Sequence, residues 1–214
     1  MTLWLSFGRI VRHVRVLLLF SRRGDSMGMV AAIDFYSGDM VRELNAHEPR
    51  RWPRYETVHG ELLVSPGPRM WHQAVVGRLH AALYQYLDRE QVGFVLSSPS
   101  DISWGRPDVL VQPDVFVMPL GEARTLDWRQ IRHLLLAVEV LSPSSARADR
   151  FTKRRLYQEQ ATPLYWMIDA DARSAEVWTS DAVFPRVEHE ILTWHPAGAS
   201  SQFTLSLEEL FRPL

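Results

Sequence analysis

Asp114, Glu139 and Lys153 are the residues whose type and setting point to chemistry. Asp114 opens the apolar run Val115-Phe116-Val117 directly after Pro113, and a proline at that place cannot donate to a strand ladder. Glu139 interrupts Leu134-Leu135-Leu136-Ala137-Val138-Glu139-Val140-Leu141, which reads as a central strand covered on both faces. A charge inside such a run costs several kcal/mol unless it is paired or binds a metal. Lys153 is the single lysine among 24 basic residues; the other 23 are arginine. Lysine is a compact point charge with a tunable pKa, whereas arginine is a planar, permanently charged fork. Two carboxylates from neighbouring strands make a hard oxygen site for Mg²⁺ or Mn²⁺, which keep several waters and leave room for a phosphate oxygen. A nearby ammonium can orient the attacking water or stabilise charge in the transition state. Plainer readings compete. A strand-opening Asp is often a cap, and Pro107-Asp108 offers the same dipeptide as Pro113-Asp114.

Other chemistries lack their residues. With no cysteine, the chain has no thiol nucleophile, disulfide or thiolate metal site. Its absence suits a reducing compartment, so a cytoplasmic protein is the expectation. The eight histidines form no HExxH or His-x-His pair, and His72 and His80 are too far apart on one helix to share a metal. Neither GxxxxGK[ST] nor GxGxxG occurs, and Ser142, Ser144 and Ser145 lack the G-x-S-x-G context, so they read as helix caps. Arg147, Arg150, Arg154 and Arg155 surround Lys153 on a polar helix and either grip phosphates or form a solvated face. Trp166, Trp178 and Trp194 read as core residues on strands.

The elements that must position these groups are legible in the apolar pattern. Ser37 caps a short helix ending before Pro49. Tyr55–Val58 and Glu61–Val64 flank His59-Gly60 as a two-residue hairpin. Trp71, Val75, Leu79, Leu83 and Leu87 recur every four residues, predicting a helix over 70–89. Strands are predicted at 92–97, 109–111, 115–118, 134–141, 164–169, 175–179 and 187–194. A polar helix is predicted over 145–160 and a short helix or turn over 205–211. The order of elements predicts an α/β or α+β core with a mixed sheet.

The length of 214 residues fits one domain, expected over residues 29–214. The formal charge of −1 divides unevenly: residues 1–28 carry five Arg and one Asp, leaving −5 on the remainder. That basic extension is expected to be a disordered tail or a start assigned too early. The longest apolar run in it is Val16 to Phe20, too short for a membrane span, so no membrane partner is expected.

YETVHGELLVS at 55–65, DVLVQPDVFV at 108–117 and AVEVLSPSSARADRFTKRRLYQEQATPLYWMID at 137–169 resemble the Uma-two family of endonucleases. That family sits in the restriction-endonuclease-like, PD-(D/E)XK superfamily, and the likeness runs from about residue 35 to the C-terminus. The resemblance implies a restriction-endonuclease-like core: a mixed central sheet flanked by helices, with an N-terminal hairpin. It implies a Mg²⁺- or Mn²⁺-dependent endonuclease acting on DNA, with Asp114 and Glu139 as metal acids. The superfamily's lysine, usually two residues after that Glu, falls here on Leu141, and Lys153 from the following helix is the match. Glu61 matches an acid that completes the metal shell, and His72 a position that contacts phosphate or a metal-bound water. Asp149, one helical turn before Lys153, either orients it or forms an ordinary helix ion pair, and Tyr157 is a further match. A homodimer is compatible, since double-strand cutting needs two sites. Two alternatives stay open: a catalytically weak or inactive nucleic-acid-binding or interaction module on the same fold, and a carboxylate-pair hydrolase of a non-nucleic substrate.

Overall fold

The computed structural model describes residues 35–48 and 52–214. The basic extension over residues 1–28 lies outside the described residues.

Helix α1 (Gly38–His47) begins at Ser37, whose hydroxyl accepts the Met40 N–H at 3.3 Å. Strands β1 (Arg54–Val58) and β2 (Glu61–Ser65) pair antiparallel around His59-Gly60. Both turn residues have positive φ, 52° and 82°, the twist a two-residue hairpin turn requires. The long amphipathic helix α2 (Met70–Glu90) ends in a left-handed cap at Gln91, whose N–H bonds the Leu87 carbonyl.

The central sheet has six strands in the order β3-β4-β5-β6-β7-β8. These are β3 (Phe94–Ser97), β4 (Val115–Met118), β5 (Leu136–Val140), β6 (Leu164–Asp169), β7 (Ser174–Thr179) and β8 (Arg186–Glu188). β5 and β6 run parallel and every other pair is antiparallel, so the sheet is mixed. A parallel pair needs a crossover. Here it is helical: a π turn over Ala148–Lys153 running into α4 (Arg154–Glu159). A short α3 (Leu120–Ala123) and a 3₁₀ turn (Trp128–Gln130) link β4 to β5. A separate ribbon of β9 (Ile191–Trp194) and β10 (Phe203–Ser206) leads into α5 (Leu207–Leu210).

Side-chain alternation divides the sheet into two buried faces. Val115, Val117, Val138, Val140, Trp166 and Ile168 pack with Val75, Leu79 and Leu83 of α2 and with α5. Phe116, Ala137, Tyr165 and Met167 pack with Leu156 and Tyr157 of α4 and with Val58 of the hairpin. Glu139 belongs to this second face, which is why its partners come from the crossover helix and the hairpin.

The fold is the mixed α+β class the sequence predicts, with local corrections. Residues 109–111 form no strand; they make single bridges, Leu110 with Thr57 and Val111 with Ile102. The strand expected over 187–194 is two, β8 and β9, in different sheets. The segment over 205–211 starts as the end of β10 before it becomes α5. The helix expected over 145–160 carries the π turn at its centre. Trp166, Trp178 and Trp194 are all buried.

Candidate active site

Five elements bring charged side chains to one place. β1 supplies Arg54 and Glu56, α2 supplies His72, and the bend leading into β4 supplies Asp114. β5 supplies Glu139, and the crossover helix supplies Asp149, Lys153 and Tyr157. The β4–β5 register pairs Val115 with Val138; carried on one residue, it sets Asp114 opposite Glu139 on one face.

Lys153 is the hub. Its Nζ lies 2.9 Å from Glu56 Oε2, 3.0 Å from Glu139 Oε1 and 3.5 Å from Asp149 Oδ1, with only 2% of the side chain exposed. Burial alone would lower its pKa, but Glu139, Glu56 and Asp149 outweigh that and raise it above the usual lysine value. Lys153 therefore keeps its proton and its charge and acts toward these carboxyls as a hydrogen-bond donor. Asp149 reaches it from within the π turn, where the Arg154 N–H bonds the Asp149 carbonyl. Such turns often mark functional sites because they redirect side chains on one helix.

Glu139 is pushed well above the usual carboxylate range by burial, against the pull of Lys153, with Asp149, Asp114 and Glu56 adding to the rise. The Tyr157 hydroxyl donates to its Oε1 at 3.3 Å. Burial likewise raises Asp149. For Asp114 burial also opposes ionisation, but the His72 bond, the Arg54 charge and the Val140 N–H overcome it and leave its pKa lowered. Its Oδ2 accepts the Val140 N–H at 2.9 Å and lies 3.1 Å from His72 Nε2. Arg54 stands between the two groups of acids, 3.8 Å from Asp114 and 3.9 Å from Glu56. Glu56 is fully buried, and its Oε1 accepts the Gln112 N–H at 2.7 Å.

Four carboxyl groups thus face two fixed cations, Arg54 and Lys153, and Glu56 Oε2 and Asp149 Oδ1 are buried with no hydrogen-bond partner beyond their ion pairs with Lys153 and Arg54. This excess of hard oxygen charge fits a divalent cation of the Mg²⁺ or Mn²⁺ type. Among the described residues no group of three His, Asp or Glu is arranged as a ready-made ion cage. An ion here would complete its shell with water and substrate oxygens. The site opens into a cleft of about 1200 Å³ that Arg54, His72, Asp114, Glu139, Asp149 and Lys153 all line.

Several expected residues therefore converge: Asp114, Glu139, Lys153, His72, Asp149 and Tyr157. Glu61 does not join them. It begins β2 exposed, contributes none of the cluster's ion pairs, and borders a small second cleft of about 260 Å³ that reaches Glu56 and Lys153 from behind. The hairpin acid in the cluster is Glu56, because the alternation of β1 turns it inward toward Lys153. Glu56 and Arg54 were missed from sequence; the available signal was an acid in the strand Tyr55-Glu56-Thr57-Val58. The arginines also separate. Arg150 pairs with Glu176 at 2.9 Å and Asp169 at 3.5 Å, and Arg154 lies over the Trp178 ring at 4.6 Å, so both are committed to the β6–β7 side. Arg147 and Arg155 are exposed, and Arg147 borders the small cleft. Leu141, where the superfamily's usual lysine would fall, is half-buried and packs against the second core.

Comparison with known proteins follows the same lines. A search of curated proteins returns no match. Among solved structures the chain resembles a crystal structure from Anabaena variabilis ATCC 29413, described as a putative nuclease belonging to DUF820. The TM-score is 0.62 at 22% identity, covering 74% of this chain and 90% of that one, a likeness that shows the fold. The sequence profile of the Uma2 family, described as putative restriction endonuclease, matches residues 41–210. The chain belongs to the Uma2 family, and family and fold together support a nuclease-like function.

Proposed function

We propose that the protein is a divalent-metal-dependent endonuclease that hydrolyses phosphodiester bonds in DNA. The observation that carries this reading is the convergence of Lys153 with Glu56, Glu139 and Asp149 beside Asp114 on the floor of an open cleft. Asp114 and Glu139 would hold Mg²⁺ or Mn²⁺, which when bound would lower the pKa of a water and neutralise phosphate charge.

The chain's own residues do the rest. Lys153 remains protonated; it fixes Glu139 and offers positive charge at the base of the cleft where phosphate charge builds up. Tyr157 donates to the same Glu139 oxygen, Oε1, and helps hold it. Asp149 and Glu56 hold Lys153 in turn, and Arg54 spans Asp114 and Glu56 so that the two acids keep their spacing. His72 and the Val140 N–H orient the Asp114 carboxylate. Helix α2 begins at the cleft wall without a side-chain cap at Arg69, an arrangement favourable to a phosphate.

The test is cleavage of plasmid DNA with Mg²⁺ or Mn²⁺ by the wild type, Asp114→Ala and Lys153→Ala. Loss of cleavage in both variants supports the assignment, and cleavage surviving both sinks it. If the ion binds nowhere while DNA binding persists and weakens with salt, the protein is a binding module on a nuclease fold.

A further inference from the structure

Trp52 is placed unlike a core residue. It belongs to neither hydrophobic core, lines the wall of the large cleft, and is 37% exposed. Trp71, on the same wall, packs against the core, and Arg78 covers its ring at 5.5 Å. Trp52 is backed by Gly67: a Cβ at that glycine would stand 3.4 Å from Cγ and 3.6 Å from both Cδ1 and Cδ2 of the ring. Near-equal distances to three adjacent ring atoms mean that the Gly67 backbone lies against a face of the indole. The ring is thus supported from behind by a residue with no side chain. Arg69, two residues beyond Gly67, is exposed on the same wall.

We infer that Trp52 is a stacking platform for an unpaired nucleobase, with Arg69 meeting the adjoining backbone phosphate, so that the cleft takes DNA with a single-stranded element. The inference rests on the nuclease reading and names the form of substrate. A base inside a duplex presents its faces only to its neighbours, and reaching an indole requires leaving the stack. Stacking does not depend on base identity, because every base has a π face. The cleft, at about 1200 Å³, exceeds the range usual for a small-molecule site.

The experiment measures anisotropy of a labelled single strand and of the matching duplex at one salt concentration, in EDTA so that nothing is cut. Wild type is expected to bind the single strand more tightly. Trp52→Ala is expected to weaken single-strand binding by about 5- to 150-fold, the equivalent of about 1–3 kcal/mol per stacked base, with duplex binding little changed. Trp52→Phe should retain most of the affinity. Unchanged circular dichroism and melting temperature in Trp52→Ala confirm that the fold is intact. Equal or tighter duplex binding by the wild type, or no effect of Trp52→Ala on the single strand, overturns this inference alone. Wild type binding neither form overturns this inference, while the nuclease reading stands or falls separately on plasmid cleavage with Mg²⁺ or Mn²⁺.

Discussion

Replacing Lys153 with methionine keeps the unbranched apolar stem of the side chain and removes the charge on which the cluster is built. In the native protein the ammonium lies within 3.5 Å of three buried carboxyl groups. Without it, Glu56, Glu139 and Asp149 keep only Arg54 as a fixed cation, at 3.9 Å from Glu56. Breaking a buried pair by removing one partner costs about 3–5 kcal/mol, because the remaining charge stays desolvated. For a domain of this size that is a fall in melting temperature of roughly 6–20 °C. The loss should vary with pH in a defined sense. Lys153 has a raised pKa, so its contribution is complete below the unfolded lysine value and is lost only as pH climbs through the native one. It stays charged throughout neutral and mildly acidic solution. Of the acids stripped of it, Glu139 and Asp149 have raised native pKa values and stabilise the fold when protonated, so the deficit of Lys153→Met should shrink as pH falls from 8 to 5. Adding Glu139→Gln to Lys153→Met removes one uncompensated charge and should return on the order of 1–3 kcal/mol. Thermal melts of wild type, both single variants and the double variant, across that pH range, form a double-mutant cycle. A Lys153→Met melting temperature equal to wild type, or strict additivity in the double variant, refutes the coupled cluster.

Further outcomes follow from the same geometry. Glu139→Gln alone should raise the melting temperature of the metal-free protein at neutral pH by roughly 2–4 °C per kcal/mol recovered. Glu139 has a raised native pKa, so its stabilising influence exists below its unfolded value and is lost as pH rises; Lys153 would keep Glu56 and Asp149. Mg²⁺ or Mn²⁺ at about 100 times its dissociation constant should stabilise the wild type by about 2.7 kcal/mol, an increment that disappears in Asp114→Ala melts. Calorimetry should show ion affinity falling as pH falls, because protons on Glu139 and Asp149 compete with the cation; a flat profile contradicts the raised carboxyls. Gly60→Ala should cost about 1–2 kcal/mol by denaturant titration, since Gly60 holds φ at +82° and the added Cβ meets the Phe35 ring.

The sequence by itself determined the parts whose signal is local. The four-residue apolar period made α2 legible, and short apolar runs gave β4 and β6 with their bounds. Asp114, Glu139 and Lys153 stood out because each breaks the rule of its surroundings: an acid after proline, an acid in a two-faced strand, a lysine in an arginine-rich chain. Tertiary structure decided what shares a space with them. Glu56 and Glu61 are two acids of one hairpin, and nothing in their spacing says which meets Lys153; the packing of β1 against the crossover helix buries the first and leaves the second exposed. Arg54 enters only because β1 passes Asp114 and Ser98, residues more than forty positions away. Asp149 proved a buried partner and not a surface helix pair, since the π turn and the second core close over it. The split of 187–194 into β8 and β9 depended on which sheet each half could join. Apolar period reports that an element has a buried face, but only the assembled chain determines which groups from distant segments lie against it, and a buried charge is settled by those groups.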